Sequence, residues 1–400
     1  LVSLASENMT VVSGPPGTGK TTFIAELVAQ ALKKKPDSKV LIASQTHVAL
    51  DNALDRVTSL QPDLKALRII GKFNRDKVSE SSLELTVESQ LGKWRRQVRR
   101  RSEEFLRKFA EQSGVSLSDI QASLTLREAA LHFARMNEFE NQIQDRKNRI
   151  TSSQSVGSDL DTSLTTDEVA DLQEEIGYLR SEKKKIESEL KLVSDRNSEA
   201  KRLLSEENVE SMPRVLNDRA NELIADSEAA ENLLPIISLQ PEWLERMGRG
   251  DEFNLALLRS RQVVGATCLG LAQFPGIEKA EFDLCIIDEA SKATATESLV
   301  PMIRSKRWVL VGDEMQLPPF QEEALKAVDL IEEFELDRDE LNRSLFSRMR
   351  AGLPSRNCRL LSKQYRMVDE IGHLISSCFY DGELENTGVR APQWANNLLS

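Results

Sequence analysis

Apolar residues follow two rhythms along this chain. Met9-Thr10-Val11-Val12-Ser13, Lys39-Val40-Leu41-Ile42-Ala43 and Ala66-Leu67-Arg68-Ile69-Ile70 are short, β-prone runs, the latter two with apolar groups on successive residues. Such runs bury both strand faces, as in a parallel sheet covered by helices. Residues 21 to about 34 carry helical apolar spacing between the first two runs, so the opening reads strand, loop, helix, strand. The same grammar returns near residue 260, where 262–267, 282–288 and 308–313 predict three more buried strands. From about 85 to 240 the strand signal vanishes. Met136, Phe139, Ile143 and Ile150 fall at heptad positions there. So do Val169, Leu172, Ile176, Leu179, Ile186, Leu190 and Val193, with Lys183 as a polar break. A Ser/Thr-rich stretch, about 151–166, separates the two seams. Each seam needs an apolar partner and the nearest is its neighbour, so an antiparallel coiled-coil hairpin is expected. A single long exposed helix is the alternative.

Composition sharpens this outline. Asp and Glu number 64 against 53 Lys and Arg, a net charge of −11, which excludes a protein that coats nucleic acid by bulk charge. A local basic channel stays open. Hydrophobic residues at 40% and aromatics at 5% fit a long polar helical segment. No run of about 18 apolar residues exists, so no membrane partner is expected. The first ten residues carry neither a basic region, a signal core nor an initiator Met, so the chain is expected to begin inside a longer protein. The expected location is cytoplasmic: bacterial cytoplasm or nucleoid, or nucleus or cytoplasm in a eukaryote. Cys268, Cys285, Cys358 and Cys378 are isolated and read as reduced thiols. His47, His132 and His373 are scattered, and no metal site built of protein ligands alone is expected.

The chemistry concentrates at predicted strand ends. Gly14-Pro15-Pro16-Gly17-Thr18-Gly19-Lys20-Thr21 fits the phosphate-loop pattern, follows a strand and opens a helix, with Thr22 next on that helix. Its glycines let backbone amides face a polyphosphate, and the helix terminus adds partial positive charge. Lys20 would reach the β- and γ-phosphates of ATP, and the Thr21 hydroxyl would ligate Mg²⁺. Cys285-Ile286-Ile287-Asp288-Glu289 ends an apolar strand in two acids. Asp288 is placed to hold Mg²⁺ and Glu289 to polarise an attacking water. Gln316, in Val311-Gly312-Asp313-Glu314-Met315-Gln316-Leu317-Pro318-Pro319, would sit beside the γ-phosphate. In Gln364-Tyr365-Arg366-Met367, Arg366 could neutralise charge on the transferring phosphoryl group and Tyr365 could stack on a base. A surface Tyr-Arg pair is the plain alternative.

The ordered set GPPGTGKT (14–21), SQTHVALDN (44–52), ATCLG (266–270), IIDEAS (286–291), VGDEMQLPP (311–319), SLFSRM (344–349) and QYRM (364–367) resembles the superfamily 1 helicases. The nearest group is the one that contains the nonsense-mediated-decay helicase and senataxin. The resemblance covers about 10–70 and 260–385. It implies an α/β, RecA-like P-loop NTPase fold with a parallel sheet, ATP between two such domains, single-stranded DNA or RNA across their top, and 5′-to-3′ translocation. It also implies that Tyr365 stacks on adenine, that Arg366 is an arginine finger, and that Thr46, His47 and Thr267 touch the strand's sugar-phosphate backbone. Backbone contacts position a strand without reading its sequence. The implied organisation is a first RecA-like part at 1–85, a helical insertion at 86–250 with its tip at about 151–166, a second part at 251–358, and the start of a second RecA-like domain at 359–400. Lys292 departs from the group, which commonly has Gln after DEAS. Residues 1–400 alone are expected to hydrolyse ATP slowly or not at all.

Two features stay open at this level. Lys93-Trp94-Arg95-Arg96-Gln97-Val98-Arg99-Arg100-Arg101 is either a phosphate-contacting stalk helix or a solvated face balancing acidic neighbours. The hairpin tip is either a site for a protein partner or a passive spacer. Two other classes also compete. A chromosome-maintenance type ATPase needs an L-S-G-G-Q-like loop before the acid pair, and 269–282 has none. An ATP-hydrolysing switch that presents the coiled coil without translocating differs from a motor in needing no stimulation by a strand.

Overall fold

Six of the seven strands of the main sheet form where the sequence supplies apolar residues two or more at a time, and all seven run parallel. The computed structural model describes residues 8–71, 77–113, 116–155, 166–205, 211–225, 230–246, 251–319 and 343–389. They form two compact units, one from the described residues of 1–92 and 249–400, the other from those of 93–248. The first begins with β1 (Met9–Ser13), α1 (Lys20–Lys34), β2 (Val40–Ser44), α2 (His47–Leu60), β3 (Ala66–Arg68) and α3 (Glu80–Leu83). The chain passes to the second unit within α4 (Val87–Ser113). There it forms α5 (Leu117–Ser155), α6 (Thr166–Ser194), α7 (Ser198–Leu204), α8 (Met212–Ala225) and α9 (Ala230–Arg246). The first unit resumes with α10 (Asp251–Arg259), β4 (Val263–Thr267), α11 (Cys268–Ala272), β5 (Leu284–Asp288), α12 (Ala295–Met302) and β6 (Trp308–Gly312). It ends with α13 (Leu345–Gly352), β7 (Cys358–Leu360), β8 (Lys363–Gln364), α14 (Asp369–Phe379) and β9 (Glu385–Asn386).

The strand order is β3-β4-β2-β5-β6-β1-β7. Val12, Ile42, Val263, Ile286, Val309 and Val311 pack on one face with Ile24 and Val28 of α1 and Leu54 and Val57 of α2. The intervening Val11, Leu41, Leu67, Val264, Cys285, Ile287 and Leu310 are equally buried. Burial on both faces explains why these runs do not alternate with polar residues. The architecture is the expected α/β, RecA-like P-loop fold. Strand β6 lies between β5 and β1, so the ends of β5, β6 and β1 stand side by side at one carboxyl edge. The boundary expected after residue 358 falls inside β7, because Cys358, Arg359 and Leu360 pair with Val11, Val12 and Ser13. Beyond it, β8 and β9 pair in parallel around α14.

In the second unit, α5 and α6 form the hairpin. Lys183 Nζ donates to Glu140 at 2.5 Å and Arg146 Nε to Glu175 at 2.7 Å. The partners run in opposite order along the two helices, which makes the pair antiparallel. Ile143, Ile176 and Leu179 fill the seam with Phe139 and Ile150 half-buried beside them. The tip expected at about 151–166 falls largely outside the described residues, α5 running on to Ser155. Nearer the unit's base, Leu126, Phe133, Val193, Leu203, Met212 and Leu216 close a second core. Among the described residues no helix is long and apolar enough to cross a membrane.

Candidate active site

The loop between β1 and α1 is shaped for backbone donors. Gly17 and Gly19 take φ of 77° and 83°, the left-handed region that costs a residue with a Cβ roughly 1–2 kcal/mol. Thr18 tucks the loop inward, its amide and Oγ1 both donating to the Pro15 carbonyl at 3.3 and 2.7 Å. The Gly14 amide donates to Gly312 O at 2.8 Å and ties the loop to β6. No side chain caps the first turn of α1. In α2, α12 and α13, by contrast, Thr46, Thr294 and Ser344 accept from first-turn amides. An uncapped terminus of a 15-residue helix offers amide donors and partial positive charge to an anion. Thr21 and Thr22 lie on that turn, half-buried and exposed respectively.

The acid pair faces this loop. Asp288, at the end of β5, is 3% exposed and its Oδ1 accepts the Glu289 amide at 2.9 Å. Glu289 is one of two described non-glycine residues with positive φ, at 53°. Lys20 Nζ donates to Gly14 O at 2.9 Å and pairs with Glu289 Oε1 at 3.5 Å. Lys292 Nζ lies 2.9 Å from the other carboxylate oxygen, Oε2, an ion pair by distance. Burial, then the neighbouring Glu289 charge, push Asp288 up to about 6. Burial also pushes the Glu289 carboxyl up, but Lys20 and Lys292 outweigh it and hold it below its ordinary value. The two adjacent acids are thereby shifted in opposite directions. Among the described residues Asp288 forms no ion pair, with Lys20 and Lys292 acting on it only at longer range, which suits a divalent ion. Glu289 stays ionised, which suits a proton acceptor. The Thr21 hydroxyl and Asp288 carboxylate are hard oxygen donors of the kind Mg²⁺ takes alongside phosphate oxygens. Among the described residues no cluster of three His, Cys, Asp or Glu groups forms a metal cage.

The β6 end and the QYRM segment complete the site. Asp313, 2% exposed, accepts Gln316 Nε2 at 2.8 Å and the Tyr380 hydroxyl at 2.7 Å on Oδ2, and the Met315 amide on Oδ1. Its own amide donates to Ser291 Oγ at 3.1 Å, so the β6 tip is bound to the loop after the acid pair. The Tyr365 amide donates to Gly17 O at 2.8 Å, docking QYRM on the phosphate loop. Gln364 is fully buried and shapes that turn. Its Oε1 accepts the Arg366 and Met367 amides at 3.0 and 2.7 Å, and its Nε2 donates to Asn386 at 2.7 Å. Tyr365 is 61% exposed and Arg366 is exposed beside it, so both side chains are open to a ligand.

The remaining sequence-named residues share the carboxyl edge without joining this cluster. Thr46 Oγ1 accepts the Ala49 amide and caps α2. Thr267 Oγ1 accepts the Gly270 amide, caps α11 and is buried. His47 Nδ1 lies 3.0 Å from Nη2 of Arg68. A guanidinium only donates, so His47 accepts at Nδ1 and carries its proton on Nε2. Arg68 is fully buried on Asp51, Nε to Oδ1 at 2.8 Å. In the second unit, Arg99 pairs with Glu128, Arg100 pairs with Glu104 at 3.7 Å, and Arg96 is exposed.

Sequence reasoning missed the supporting residues Asp313, Ser291, Gln364 and the Asp51–Arg68 pair. Asp51, Ser291, Asp313 and Gln364 lie within the quoted motifs without a role of their own, and Arg68 stands out as an arginine inside an otherwise apolar strand. The sequence profile of a family described as AAA domain matches residues 2–321, and a second so described matches 341–397. An uncharacterized ATP-dependent helicase, MJ0104, of Methanocaldococcus jannaschii is 22% identical over 96% of this chain and 44% of its own length. Helicase sen1 of Schizosaccharomyces pombe is 23% identical over 96% of this chain and 19% of its own. DNA replication ATP-dependent helicase/nuclease DNA2 of Gallus gallus is 36% identical over 36% of this chain and 13% of its own. The chain therefore spans less than half the length of these relatives. With the phosphate loop, acid pair and QYRM turn converging as they do, the chain belongs to the AAA-domain family, in the superfamily 1 helicase group that includes the nonsense-mediated-decay helicase and senataxin.

Proposed function

We propose that the protein hydrolyses ATP and couples the reaction to movement along single-stranded DNA or RNA, in the 5′-to-3′ direction. The observation that carries this reading is the meeting of Lys20, from the start of the chain, with Glu289, from beyond the helical insertion, at 3.5 Å. The uncapped α1 terminus and the loop amides would bind the phosphates. Lys20 would leave the Gly14 carbonyl for a phosphate oxygen. Thr21 and Asp288 would hold Mg²⁺, which draws charge from the phosphate oxygens and orients them. Glu289, already ionised, would take the proton of the attacking water as the water oxygen bonds to the γ-phosphorus and the bond to the bridging oxygen breaks, releasing ADP. Arg366 would offset charge on the phosphoryl group in flight, and Gln316, braced on Asp313, would respond to the γ-phosphate. Tyr365 is open to a base. Thr46, His47 and Thr267 occupy the edge where a strand would pass, and the Nε2–H of His47 is available as a donor to its backbone.

The test is ATPase activity of the full-length protein, titrated with single-stranded DNA and with RNA. We expect stimulation by at least one of them, and loss of hydrolysis in Glu289→Gln by roughly 10²-fold or more. A rate indifferent to both strands would replace the motor with an ATP-hydrolysing switch. Polarity is read from strand displacement on substrates tailed at one end.

A further inference from the structure

Lys292 is where this chain departs from the helicase pattern, and it touches the residue on which hydrolysis turns. Glu289 stands in a strained backbone conformation, φ 53°, next to a second carboxylate. Nothing intrinsic favours that placement; its neighbours impose it. Two cations reach its carboxylate, one at each oxygen: Lys20 at Oε1, 3.5 Å, and Lys292 at Oε2, 2.9 Å. They are the only cations within 4 Å of that carboxylate among the described residues. Lys20 is a divided partner, since it also donates to Gly14 O and belongs to the phosphate loop.

Lys292 is held differently. Its amide donates to Glu289 O at 2.9 Å, closing a tight turn that sends its side chain back onto Glu289. The turn is fastened to β6 by the Ala290 amide on Val311 O at 2.9 Å and by the Asp313 amide on Ser291 Oγ at 3.1 Å. A Cβ at Gly312 would fall 2.8 Å from the Ser291 nitrogen, so turn and strand are in close contact. The ammonium therefore projects from an anchored base that lies outside the phosphate loop.

We propose that Lys292 is a positioning residue for hydrolysis: it keeps the Glu289 carboxylate aimed beside Asp288 once a nucleotide phosphate has drawn Lys20 away. The proposal rests on the hydrolytic reading given above. Lys292 transfers no proton. It fixes one carboxylate oxygen so that the other is presented to water, and a misplacement of about 1 Å at such a base costs up to roughly 10²-fold in rate.

The experiment compares Lys292→Gln, Lys292→Arg, Glu289→Gln and the Lys292→Gln/Glu289→Gln double variant in the full-length protein. Steady-state and single-turnover ATP hydrolysis is measured beside Mg²⁺·ADP binding by calorimetry. The Lys292 side chain is 34% exposed, so the fold is expected to accept substitution. Lys292→Gln should lower kcat by about tenfold or more while KM and ADP affinity stay within about twofold, and Lys292→Arg should recover most of the loss. In the Glu289→Gln background, Lys292→Gln should cost nothing further, because the carboxylate it positions is gone. Lys292→Gln with a wild-type kcat, or a full additional loss in the double variant, would overturn the proposal. So would a fall in ADP affinity that accounts for the rate. Full hydrolysis by Glu289→Gln would instead sink the assignment of Glu289 as base.

Discussion

At the scale of single residues, the site is decided by charges and one missing Cβ. Gly17 has to supply a left-handed φ and also leave room for QYRM. A Cβ there would stand 2.5 Å from Cβ of Arg366. Gly17→Ala therefore strains the phosphate loop and lifts Tyr365 off Gly17 O together. We expect a loss of at least about 1–2 kcal/mol in nucleotide binding, roughly tenfold in affinity, with little change in thermal stability, by calorimetric ADP titration and a melting curve. Unchanged affinity would show that QYRM does not rest on this loop in solution. Residues of this kind were legible in the sequence because their signal is local. Gly14, Gly17, Gly19, Lys20 and Thr21 lie within eight positions, and Asp288 and Glu289 are adjacent. Asp313 and Gln364 were not legible as supports. Their importance lies in hydrogen bonds to Tyr380, Ser291 and Asn386, and no local spacing encodes such pairings. Thr46 and Thr267 show the converse. A helix cap and a strand contact ask for the same residue type, a short hydroxyl beside a helix start.

At the scale of elements, the strands were readable and their neighbours were not. The runs at 262–267, 282–288 and 308–313 became β4, β5 and β6 within a residue or two, since apolar continuity marks strands buried on both faces. Strand β7 escaped notice because Cys358-Arg359-Leu360 is three residues long with a charged centre. Strand order also depends on connections that sequence does not display, and polar staples fix it. Asp283, just before β5, accepts the Lys39 amide at 3.0 Å on Oδ2 and Lys35 Nζ at 3.1 Å on Oδ1. It thereby sets the start of β5 against the start of β2. Burial pushes this carboxyl up, yet the Lys39 amide, Lys35 and Lys306 together hold it below its ordinary 3.8. A depressed folded value means stability that is present above the unfolded value and is lost as pH falls through the folded one. Asp283→Asn should accordingly destabilise the first unit by about 1–2 kcal/mol at neutral pH. The deficit should begin to shrink as pH drops below 3.8, where the unfolded carboxyl protonates, and vanish only below the depressed folded value. Urea midpoints at pH 7 and pH 3 check both halves. A deficit of equal size at the two pH values would mean that the carboxylate charge is not what staples the strands.

At the scale of the molecule, the proposed catalytic groups and the helical hairpin belong to separate compact units joined by continuous chain. The heptad rhythm foretold the hairpin because a two-helix seam is a repeating local pattern. The second core could not be foretold in the same way, since Leu126 and Phe133 meet Met212 and Leu216 from helices far apart in sequence, and helical spacing within each does not say which helices pair. The two cores make a prediction about separability. The described residues of 140–183 take no part in the core around Leu126, Phe133, Val193 and Leu216, and they bury few apolar side chains of their own, Ile143, Leu172, Ile176 and Leu179. Glu140 and Lys183 are ion-paired at 2.5 Å, so the helices can be rejoined there by a short Gly/Ser linker without stretching the chain. Removing 141–182 in this way should leave Mg²⁺·ADP affinity within about twofold and the melting temperature within about 3 °C, while far-UV circular dichroism loses the corresponding helix. Basal ATP hydrolysis should be unchanged, since Lys20, Asp288, Glu289 and Arg366 all lie in the first unit. If nucleotide binding is lost with the arm, the hairpin is part of the same cooperative fold as the sheet. If binding and basal hydrolysis persist but strand stimulation falls, the arm acts on the nucleic acid.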